Sequence, residues 1–293
     1  MKYRSRKRNI KKAAAPIATA VFVIVAAIFI WDGWIRGNRQ DLSAECEFHF
    51  IDVGQGDSTL IVTEDAAVLI DAGPTDAAET TARYIRGYTD TIDYMILTHP
   101  HEDHIGGAVK IINSLEVKNV IMTDASNDVV TFSRLIGVIE DSGVRVIEAQ
   151  VGNTYDVGGI GLQILAPLAD LDDFNEYSVV TRVEYENVSA IVTGDAESGS
   201  EELMLETYTS GELDADILKL GHHGSNTSST SEFLAAVSPR WAIASCGQDN
   251  SYGHPHQQTL ERARELGIPV LRTDEMGTII FATDGEDLWL EED

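Results

Sequence analysis

The sequence predicts an α/β (α+β) fold in which two mixed β-sheets pack face to face with helices on the outside. Two observations support this prediction. Short apolar and β-branched runs alternate with helical runs between roughly residues 46 and 285. Strands and helices also occur in both halves, so each half can form one sheet covered by helices. The 293 residues are enough for one such domain and an appendage.

The first half is predicted to contain six strands and three helices. Glycine-rich or acidic turns separate the first three strands, and the later strands alternate with helices. The strands are residues 48–53, 58–63, 67–71, 94–97, 119–122 and 144–148. The helices are residues 76–88, 108–115 and 131–141.

The second half is predicted to contain six further strands and three helices. Three strands follow one another after Gly152, and helices then alternate with the remaining strands. The strands are residues 160–165, 178–185, 189–193, 215–220, 241–244 and 278–282. The helices are residues 200–208, 229–237 and 257–266.

The N-terminal segment is predicted to anchor the protein in a membrane. Residues 1–12 carry seven basic side chains and no acidic one, and residues 13–35 form an apolar run. As a helix this run would span about 35 Å, slightly more than the roughly 30 Å hydrocarbon core of a bilayer. Trp31 and Trp34 lie where an aromatic belt would contact the membrane interface. Because basic residues favour the cytoplasmic side, we expect a single-pass protein with an extracytoplasmic domain.

A cleaved signal peptide is the alternative, although its apolar region would usually be shorter. The predicted organisation is a basic cytoplasmic segment (1–12), a transmembrane anchor (13–35), a linker (36–45) and one domain (46–293).

The charge of the predicted domain counts against nucleic-acid binding. The whole chain carries a net charge of −27, and seven of its 21 basic residues lie in the first 12 positions. The remaining residues therefore carry a net charge of −34. An acidic surface repels polyanions within a Debye length, which disfavours tight nonspecific binding of DNA or RNA.

Residues 98–107, THPHEDHIGG, contain three histidines and an aspartate within six positions. Imidazole and carboxylate groups suit Zn²⁺, Mn²⁺ or Fe²⁺. In an extended segment His99 and His101 point the same way, because side chains alternate with a period of two. Both can then reach one ion, and Asp103 and His104 follow at a turn that can lead toward a second ion. The segment predicts a metal site.

This motif, His99-x-His101-x-Asp103-His104, resembles the signature of the metallo-β-lactamase fold. Four other segments are similar to the hydrolase domain of ComEC-type competence proteins and occur in that family's order. They are residues 49–57 (HFIDVGQGD), 69–73 (LIDAG), 192–195 (VTGD) and 219–225 (KLGHHGS). The resemblance implies an αββα sandwich with a binuclear metal site that hydrolyses phosphodiesters or acyl bonds. The ComEC-like branch is associated with phosphodiesters, including DNA.

The resemblance also implies the metal ligands, which are His99, His101, Asp103, His104, Asp195 and His222. Asp195 follows a buried run behind Gly194 and could give one carboxylate oxygen to each ion, so it is the expected bridge. His222 is preferred over its neighbour His223, by similarity to related hydrolases that have a single histidine there.

One departure from the wider fold concerns the first ion. Many members supply a third histidine to it, but no histidine occurs between His104 and His222. The matching residues 175–180 (NEYSVV) are similar to the Asn-x-x-Ser pattern of the ComEC-like branch. The first ion would then be held by His99, His101, Asp195 and water, and should bind more weakly. We expect one or two divalent ions, Zn²⁺ or Mn²⁺.

The candidate catalytic residues are Asp103, His254 and Asp71. In the family, an aspartate at the position of Asp71 orients a ligand histidine, although it could equally cap a turn here. His254 could donate a proton to a leaving group or contact a phosphate oxygen. Further residues expected around substrate or ligands are His223, Asp57, Asn175, Ser178, Ser225 and His256.

These features predict a membrane-anchored, extracytoplasmic, metal-dependent hydrolase. The first hypothesis is a phosphodiesterase, with a nuclease as one version, that uses water ionised by the metal ions. One alternative is a lactone or amide hydrolase on the same ions, and another is a noncatalytic binding domain stabilised by metal. The expected substrate is small or contains a phosphodiester, and nucleic acid is disfavoured by the acidic charge. The sequence has no Gly-x-Ser-x-Gly segment and no P-loop.

Overall fold

The computed structural model describes residues 44–169, 171 and 173–291. The predicted basic segment 1–12, the anchor 13–35 and most of the linker 36–45 lie outside these described residues. Among the helices that are described, none is both long and apolar enough to cross a membrane.

The first sheet has eight strands within the described residues. They are β1 (Cys46–Phe50), β2 (Thr59–Thr63), β3 (Ala67–Ile70), β4 (Thr91–Leu97), β5 (Glu116–Met122), β6 (Arg145–Glu148), β14 (Ile279–Thr283) and β15 (Leu288–Leu290). Their order across the sheet is β15-β14-β1-β2-β3-β4-β5-β6. Strands β3 to β6 pair in parallel, and the other neighbours are antiparallel.

The second sheet has seven strands within the same described residues. They are β7 (Thr154–Val157), β8 (Ile160–Ala166), β9 (Val180–Tyr185), β10 (Val188–Val192), β11 (Ile217–Lys219), β12 (Trp241–Ala244) and β13 (Val270–Arg272). Their order is β13-β12-β11-β10-β9-β8-β7. Strands β10 to β13 are parallel, and β7 to β10 are antiparallel.

The described helices connect these strands. They are α1 (Ala78–Arg86), α2 (Glu102–Ile105), α3 (Ala108–Ser114), α4 (Val130–Ser142), α5 (Ser198–Thr207), α6 (Ser210–Leu213), α7 (Ser231–Val237), α8 (Gln257–Glu265) and α9 (Thr273–Met276). A 3₁₀ turn covers Gly221–Gly224. Local chemistry sets some of the ends, since the Thr230 hydroxyl accepts the Phe233 backbone N–H at the start of α7.

The alternation of side chains along β3 shows how the layers form. Val68 and Ile70 belong to an apolar cluster with residues from strands of both sheets. Ala67 and Leu69 point to the other side and join a cluster with residues of α1, α3 and α4. A third cluster joins the second sheet to α5, α7 and α8. The three apolar layers confirm the predicted sandwich of two mixed sheets with helices outside.

Several short elements were not predicted from the sequence, namely β7, β13, β15, α2, α6 and α9. Each contains three or four residues, which is too few for an apolar period to be recognised. In addition, β7 is at least partly exposed along its length and lies at the edge of its sheet. The three added strands widen the predicted sheets at their edges, and the architecture is unchanged.

The parallel strands bring the predicted site residues together. Asp71 follows β3, His99 to His104 follow β4, Asp195 follows β10, and His222 and His223 follow β11. In open α/β sheets, ligands bind outside the carboxyl ends of the strands. The fold therefore places a candidate site where both sheets present these strand ends.

Candidate metal centre

Three side chains form a first group of donor atoms. His99, His101 and Asp195 each offer one nitrogen or oxygen, and these atoms lie within 4.8 Å of one another. His99 Nε2 lies 2.9 Å from His101 Nδ1 and 3.8 Å from Asp195 Oδ2. His101 is extended, with φ −77° and ψ 149°, so it lies on the same side of the chain as His99.

Four side chains form a second group, which is buried. Asp57, His104, Asp195 and His223 also offer donor atoms within 4.8 Å of one another. Asp195 Oδ1 lies 3.2 Å from His104 Nε2, and Asp195 Oδ2 lies 3.6 Å from His223 Nε2. Asp195 therefore belongs to both groups, which is the arrangement expected of a bridging ligand. The sequence had placed Asp57 only near the ligands.

Unsatisfied polar atoms indicate that the second group suits a cation. Among the described residues, no well-aligned hydrogen bond is found for either carboxylate oxygen of Asp57, for His104 Nε2 or for Asp195 Oδ1, although Asp57 Oδ2 forms an ion pair with Lys219. Buried polar atoms are ordinarily hydrogen-bonded. Carboxylate and imidazole groups are ligands of Zn²⁺ and Mn²⁺, so the donor set fits a divalent ion.

Asp71 fixes the orientation of a histidine in each group. Its Oδ2 lies 2.7 Å from His104 Nδ1, which directs Nε2 of that ring toward Asp195. The Thr98 hydroxyl donates to the same carboxylate at 2.8 Å, so it can accept from His99 Nδ1 at 3.0 Å. Nε2 of His99 is then the unprotonated nitrogen of that ring. Asp71 thus acts on the ligands, and burial raises the pKa of its carboxyl group.

Ser178 connects the two sides of the site. Its hydroxyl oxygen accepts the backbone N–H of Asp195 at 3.2 Å and lies 3.3 Å from His99 Nδ1. The residue directly before Asp195 must be small, because a Cβ on Gly194 would lie 2.7 Å from the Thr98 side chain. These contacts hold Asp195 against the segment that carries His99.

The charges of the site are strongly interdependent. Burial and the neighbouring His104 hold the pKa of His99 well below its ordinary value, so this imidazole is neutral, as a metal ligand must be. Burial would lower the pKa of His104 and His223, but nearby carboxylates outweigh it. Asp195 and Asp71 raise the pKa of His104, and Asp195 and Asp57 raise that of His223 to about 9. Binding of an ion to these two rings would therefore release protons.

The geometry favours His223 over His222 as the ligand, the reverse of the sequence preference. Nδ1 of His223 lies 3.0 Å from the Ser245 carbonyl oxygen, and the ring belongs to the buried donor group. His222 instead places Nδ1 2.8 Å from Glu197 Oε1, and its side chain is 25% exposed. Both residues have left-handed backbone angles, with φ of 48° and 54°, so they do not alternate as strand residues would.

Asp103 lies at the rim of the centre and in neither donor group. Its Oδ2 is 3.2 Å from His223 Nε2, and the side chain is 32% exposed. Burial would raise the pKa of this carboxyl group, but His104 and His223 hold it well below its usual range. Asp103 is therefore an anion that faces both the buried group and the cavity beside it.

Of the two histidines near the cis-Pro255 loop, one faces the cavity and the other supports the backbone. The His254 ring stacks on Tyr252 with centroids 5.6 Å apart, and its Nδ1 has no hydrogen-bond partner among the described residues. Burial, with help from His223 and His222, lowers the pKa of His254 to about 4. His256 accepts the Asn226 backbone N–H at 2.9 Å and lies 3.1 Å from the Tyr252 carbonyl oxygen.

Asn175 and Ser225 have different surroundings. Asn175 lines the cavity, and its Nδ2 lies 3.4 Å from both Glu197 Oε1 and His222 Nδ1. The Ser225 hydroxyl lies 2.9 Å from the Thr227 hydroxyl and does not line the cavity beside the metal centre. Asn175 can therefore contact a substrate directly, whereas Ser225 organises the turn that follows His223.

A cavity of about 520 Å³ opens beside the two donor groups. Most of the residues that line it are polar or ionisable: Gln55, His101, Glu102, Asp103, Asn127, Val129, Thr131, Asn175, Asp195, His222, His223, Tyr252 and His254. A second cavity of about 660 Å³ shares Gln55, Glu102, Asp103 and Tyr252 with the first. The centre is thus accessible to a substrate that is larger than a single phosphate group.

Two residues of the centre were not predicted. Lys219 is fully buried at the end of β11, and its ammonium group pairs with Asp57. The sequence does contain an indication of this role, because Lys219 is the charged residue of an otherwise apolar strand and a lysine is seldom buried without a partner. Glu197, the partner of His222, lies in an acid-rich segment in which no pattern distinguishes it.

Comparison with known proteins agrees with this geometry. Residues 51–248 match the model of the metallo-beta-lactamase superfamily. The chain is 32% identical to ComE operon protein 3 of Bacillus subtilis over 82% of this chain and 33% of that protein. It is also 32% identical to competence protein ComA of Neisseria gonorrhoeae, over 78% of this chain and 31% of that protein. The chain therefore spans about a third of the length of these curated relatives.

A solved structure shows the same fold at low sequence identity. The metallo-beta-lactamase fold protein YhfI from Bacillus subtilis superimposes with a TM-score of 0.54 and 12% identity, over 84% of this chain and 100% of that chain. The family match and the identity to the curated relatives lead to one conclusion. This chain belongs to the metallo-β-lactamase superfamily, and its sequence is related to that of ComEC-type competence proteins.

Proposed function

We propose that this metal-dependent hydrolase acts on phosphodiesters. The observation that carries the proposal is the position of Asp195, which belongs to both donor groups beside an open cavity. When bound, two divalent ions supply a water that ionises near neutral pH and positive charge that stabilises the phosphoryl transition state. Among the residues, His99, His101 and Asp195 would hold one ion. His104, His223 and Asp195, with Asp57 beside them, would hold the other.

The cavity offers hydrogen-bonding groups for a phosphate ester. The Asn175 side chain lines the cavity, and its buried Oδ1 has no hydrogen-bond partner among the described residues. His254 also lines it, and a pKa of about 4 leaves that imidazole neutral at pH 7. A neutral ring can donate a hydrogen bond to a phosphate oxygen but is a poor proton donor. We therefore assign His254 to binding of the phosphoryl group, and not to protonation of the leaving group.

The charge around the cavity favours a small diester. The acidic side chains of Glu102 and Asp103 lie in the wall shared by the two cavities. They would repel the further phosphates of a polynucleotide, as would the net charge of −34 that follows residue 12. A substrate with one phosphodiester and uncharged or cationic flanking groups fits better. A nucleic acid that presents one strand end remains compatible with the centre.

Hydrolysis of bis(p-nitrophenyl) phosphate tests this function. The purified protein should release p-nitrophenol only after Mn²⁺ or Zn²⁺ is added, and a chelator should abolish the reaction. His223→Ala should lose at least about a hundredfold in rate, the scale expected when transition-state charge stabilisation is lost. Activity on a lactone or amide with none on any phosphodiester would reject the proposal. Inactivity of the metal-loaded protein on both classes would favour a noncatalytic binding domain.

We also propose that residues 13–35 anchor the chain in a membrane, with the hydrolase domain outside the cytoplasm. The proposal rests on the basic residues 1–12, which precede the apolar run. Protease added to intact cells should digest the hydrolase domain, while the protein fractionates with membranes. A protected domain would contradict the orientation, and a mature N-terminus beyond residue 35 would contradict an uncleaved anchor.

A further inference from the structure

Lys219 brings a positive charge into the second donor group. Its side chain is fully buried, and Nζ donates to the Gly194 carbonyl oxygen at 2.8 Å. The same ammonium group forms an ion pair with Asp57 Oδ2 and lies 3.9 Å from Asp195 Oδ1. It therefore contacts one carboxylate of the donor group directly and lies close to the shared carboxylate of both groups.

The surroundings of Lys219 are mostly ionisable. Asp57 and Asp195 face its ammonium group, and His104 and His223 face the same two carboxylates. A buried ammonium group of this kind needs charged or polar partners, because desolvation without them is strongly unfavourable. Lys219 has such partners in Asp57 and the Gly194 carbonyl. Asp57 in turn has a counter-ion whether or not a metal is bound.

The positions of these groups imply competition with a metal ion. Asp57 is one of the four donors of the second group, yet one of its oxygens is already paired with Lys219. A divalent ion bound there would share this carboxylate with an ammonium group and be repelled by it. Like charges a few ångströms apart repel one another strongly inside a protein, where the effective dielectric constant is far below that of water.

From this geometry we infer that Lys219 is an internal counter-ion that weakens binding of the second metal ion. By neutralising Asp57, it also lets the site fold without that ion. The inference rests on the proposed two-ion site and names the residue that sets the affinity of one of its ions. The second ion then binds loosely enough to exchange, and loading of the centre depends on the concentration of free metal.

Metal titration of Lys219→Met tests the inference, since methionine keeps much of the length of the side chain and removes its charge. The full-length protein is stripped of metal and titrated with Mn²⁺ or Zn²⁺ by calorimetry. Lys219→Met should bind the ion of the second donor group at least about tenfold more tightly than the wild type, and His223→Ala, which removes a donor of that group, identifies the binding step that belongs to it. The metal-free form of Lys219→Met should unfold at a lower temperature than the metal-free wild type, and added metal should restore the unfolding temperature. Lys118→Met, which removes an exposed lysine paired with Asp93 at 2.7 Å, serves as the matched control and should change neither ion's affinity.

A second comparison covers the case in which Lys219→Met does not fold without metal. Asp57→Asn and the double variant Asp57→Asn, Lys219→Met both lack the buried carboxylate charge that needs a counter-ion. The double variant should bind the ion of the second donor group more tightly than Asp57→Asn, because it lacks the ammonium group that repels this ion. Each pair consists of a protein with Lys219 and a protein without it. If both members of a pair fold and the one without Lys219 binds the ion equally or more weakly, the inference is overturned, and the role of Lys219 is to hold the ligands in place.

These outcomes are distinct from failure of the proposed function. If the wild type binds two ions and removal of Lys219 leaves the affinity for the ion of the second donor group unchanged, the inference alone fails. If neither the wild type nor any Lys219 variant binds a second ion, the two-ion site itself is wrong, and both proposals fall together.

Discussion

His104 and Asp71 are joined by a contact of 2.7 Å between Nδ1 and Oδ2, and this contact directs the other nitrogen of His104 toward Asp195. The same carboxylate accepts the Thr98 backbone N–H at 2.9 Å and the Thr98 hydroxyl at 2.8 Å. Asp71 itself has a left-handed backbone, with φ 58°, directly after β3. One buried carboxylate thus orients ligands that belong to both donor groups.

Replacement of Asp71 should weaken metal binding without removing a ligand. Asp71→Asn keeps the size of the side chain but loses the negative charge and one acceptor oxygen. Loss of a group that orients a metal-bound histidine typically weakens metal affinity by about 10- to 100-fold, and we expect this range here. Titration with Mn²⁺ or Zn²⁺ measures the effect, with the exposed Asp141→Asn as control. An unchanged affinity in Asp71→Asn would show that the His104 ring is held by other contacts.

The two adjacent histidines should differ sharply when each is changed to alanine. His223→Ala removes a donor of the buried group, so the affinity for one ion should fall by at least about a hundredfold. His222→Ala removes the partner of Glu197 and should change the affinity for either ion by no more than about threefold, since His222 lies outside both donor groups. Metal content after dialysis distinguishes the two variants. The reverse result would restore His222 as the ligand.

Metal affinity should rise with pH. The pKa of His223 is raised to about 9, and that of His104 is also raised, so both rings are protonated in the metal-free protein at neutral pH. An ion must displace these protons, and its affinity should rise about tenfold per pH unit for each proton released, up to about pH 9. Calorimetric titrations between about pH 6 and 9 measure the slope. A flat profile would mean that the ion does not bind these two rings.

The stability of the metal-free protein should change with pH in the opposite direction to its metal affinity. The pKa of His223 is higher in the folded protein than its unfolded value of about 6.5. Protonation of His223 therefore stabilises the fold, and this contribution is fully present below about pH 6.5. This contribution is lost as the pH rises through about 9. With a chelator present, the unfolding temperature should therefore fall across this window, and the decrease should be smaller in His223→Ala.

The order of the main elements could be predicted from the sequence because several central strands are buried on two faces. Such strands are continuous apolar runs, as in Ala67–Ile70, and they are easily recognised. The edge strand Thr154–Val157 is partly exposed and short, so it carries no comparable signal. The ligand segment His99 to His104 was also recognisable, since its spacing alone brings the donors together.

The remaining features of the candidate site depend on tertiary contacts, which the sequence alone does not reveal. Asp57 lies 166 positions before His223, and its oxygen meets that ring at 3.3 Å only because two sheets converge. The choice between His222 and His223 depended on left-handed backbone angles at both residues, which periodicity does not anticipate. The partners of Lys219 are Asp57 and the Gly194 carbonyl, which lie beside strands of different sheets, so only the folded structure identifies them.

The shared position of Asp195 is the central claim, and metal stoichiometry tests it most directly. The wild-type protein and Asp195→Ala are each dialysed against Mn²⁺ or Zn²⁺ and analysed for bound metal, with circular dichroism to confirm the fold. We predict up to two ions per wild-type chain and loss of most of both in Asp195→Ala, because one carboxylate serves both donor groups. Retention of two ions with wild-type affinity in Asp195→Ala would contradict the claim.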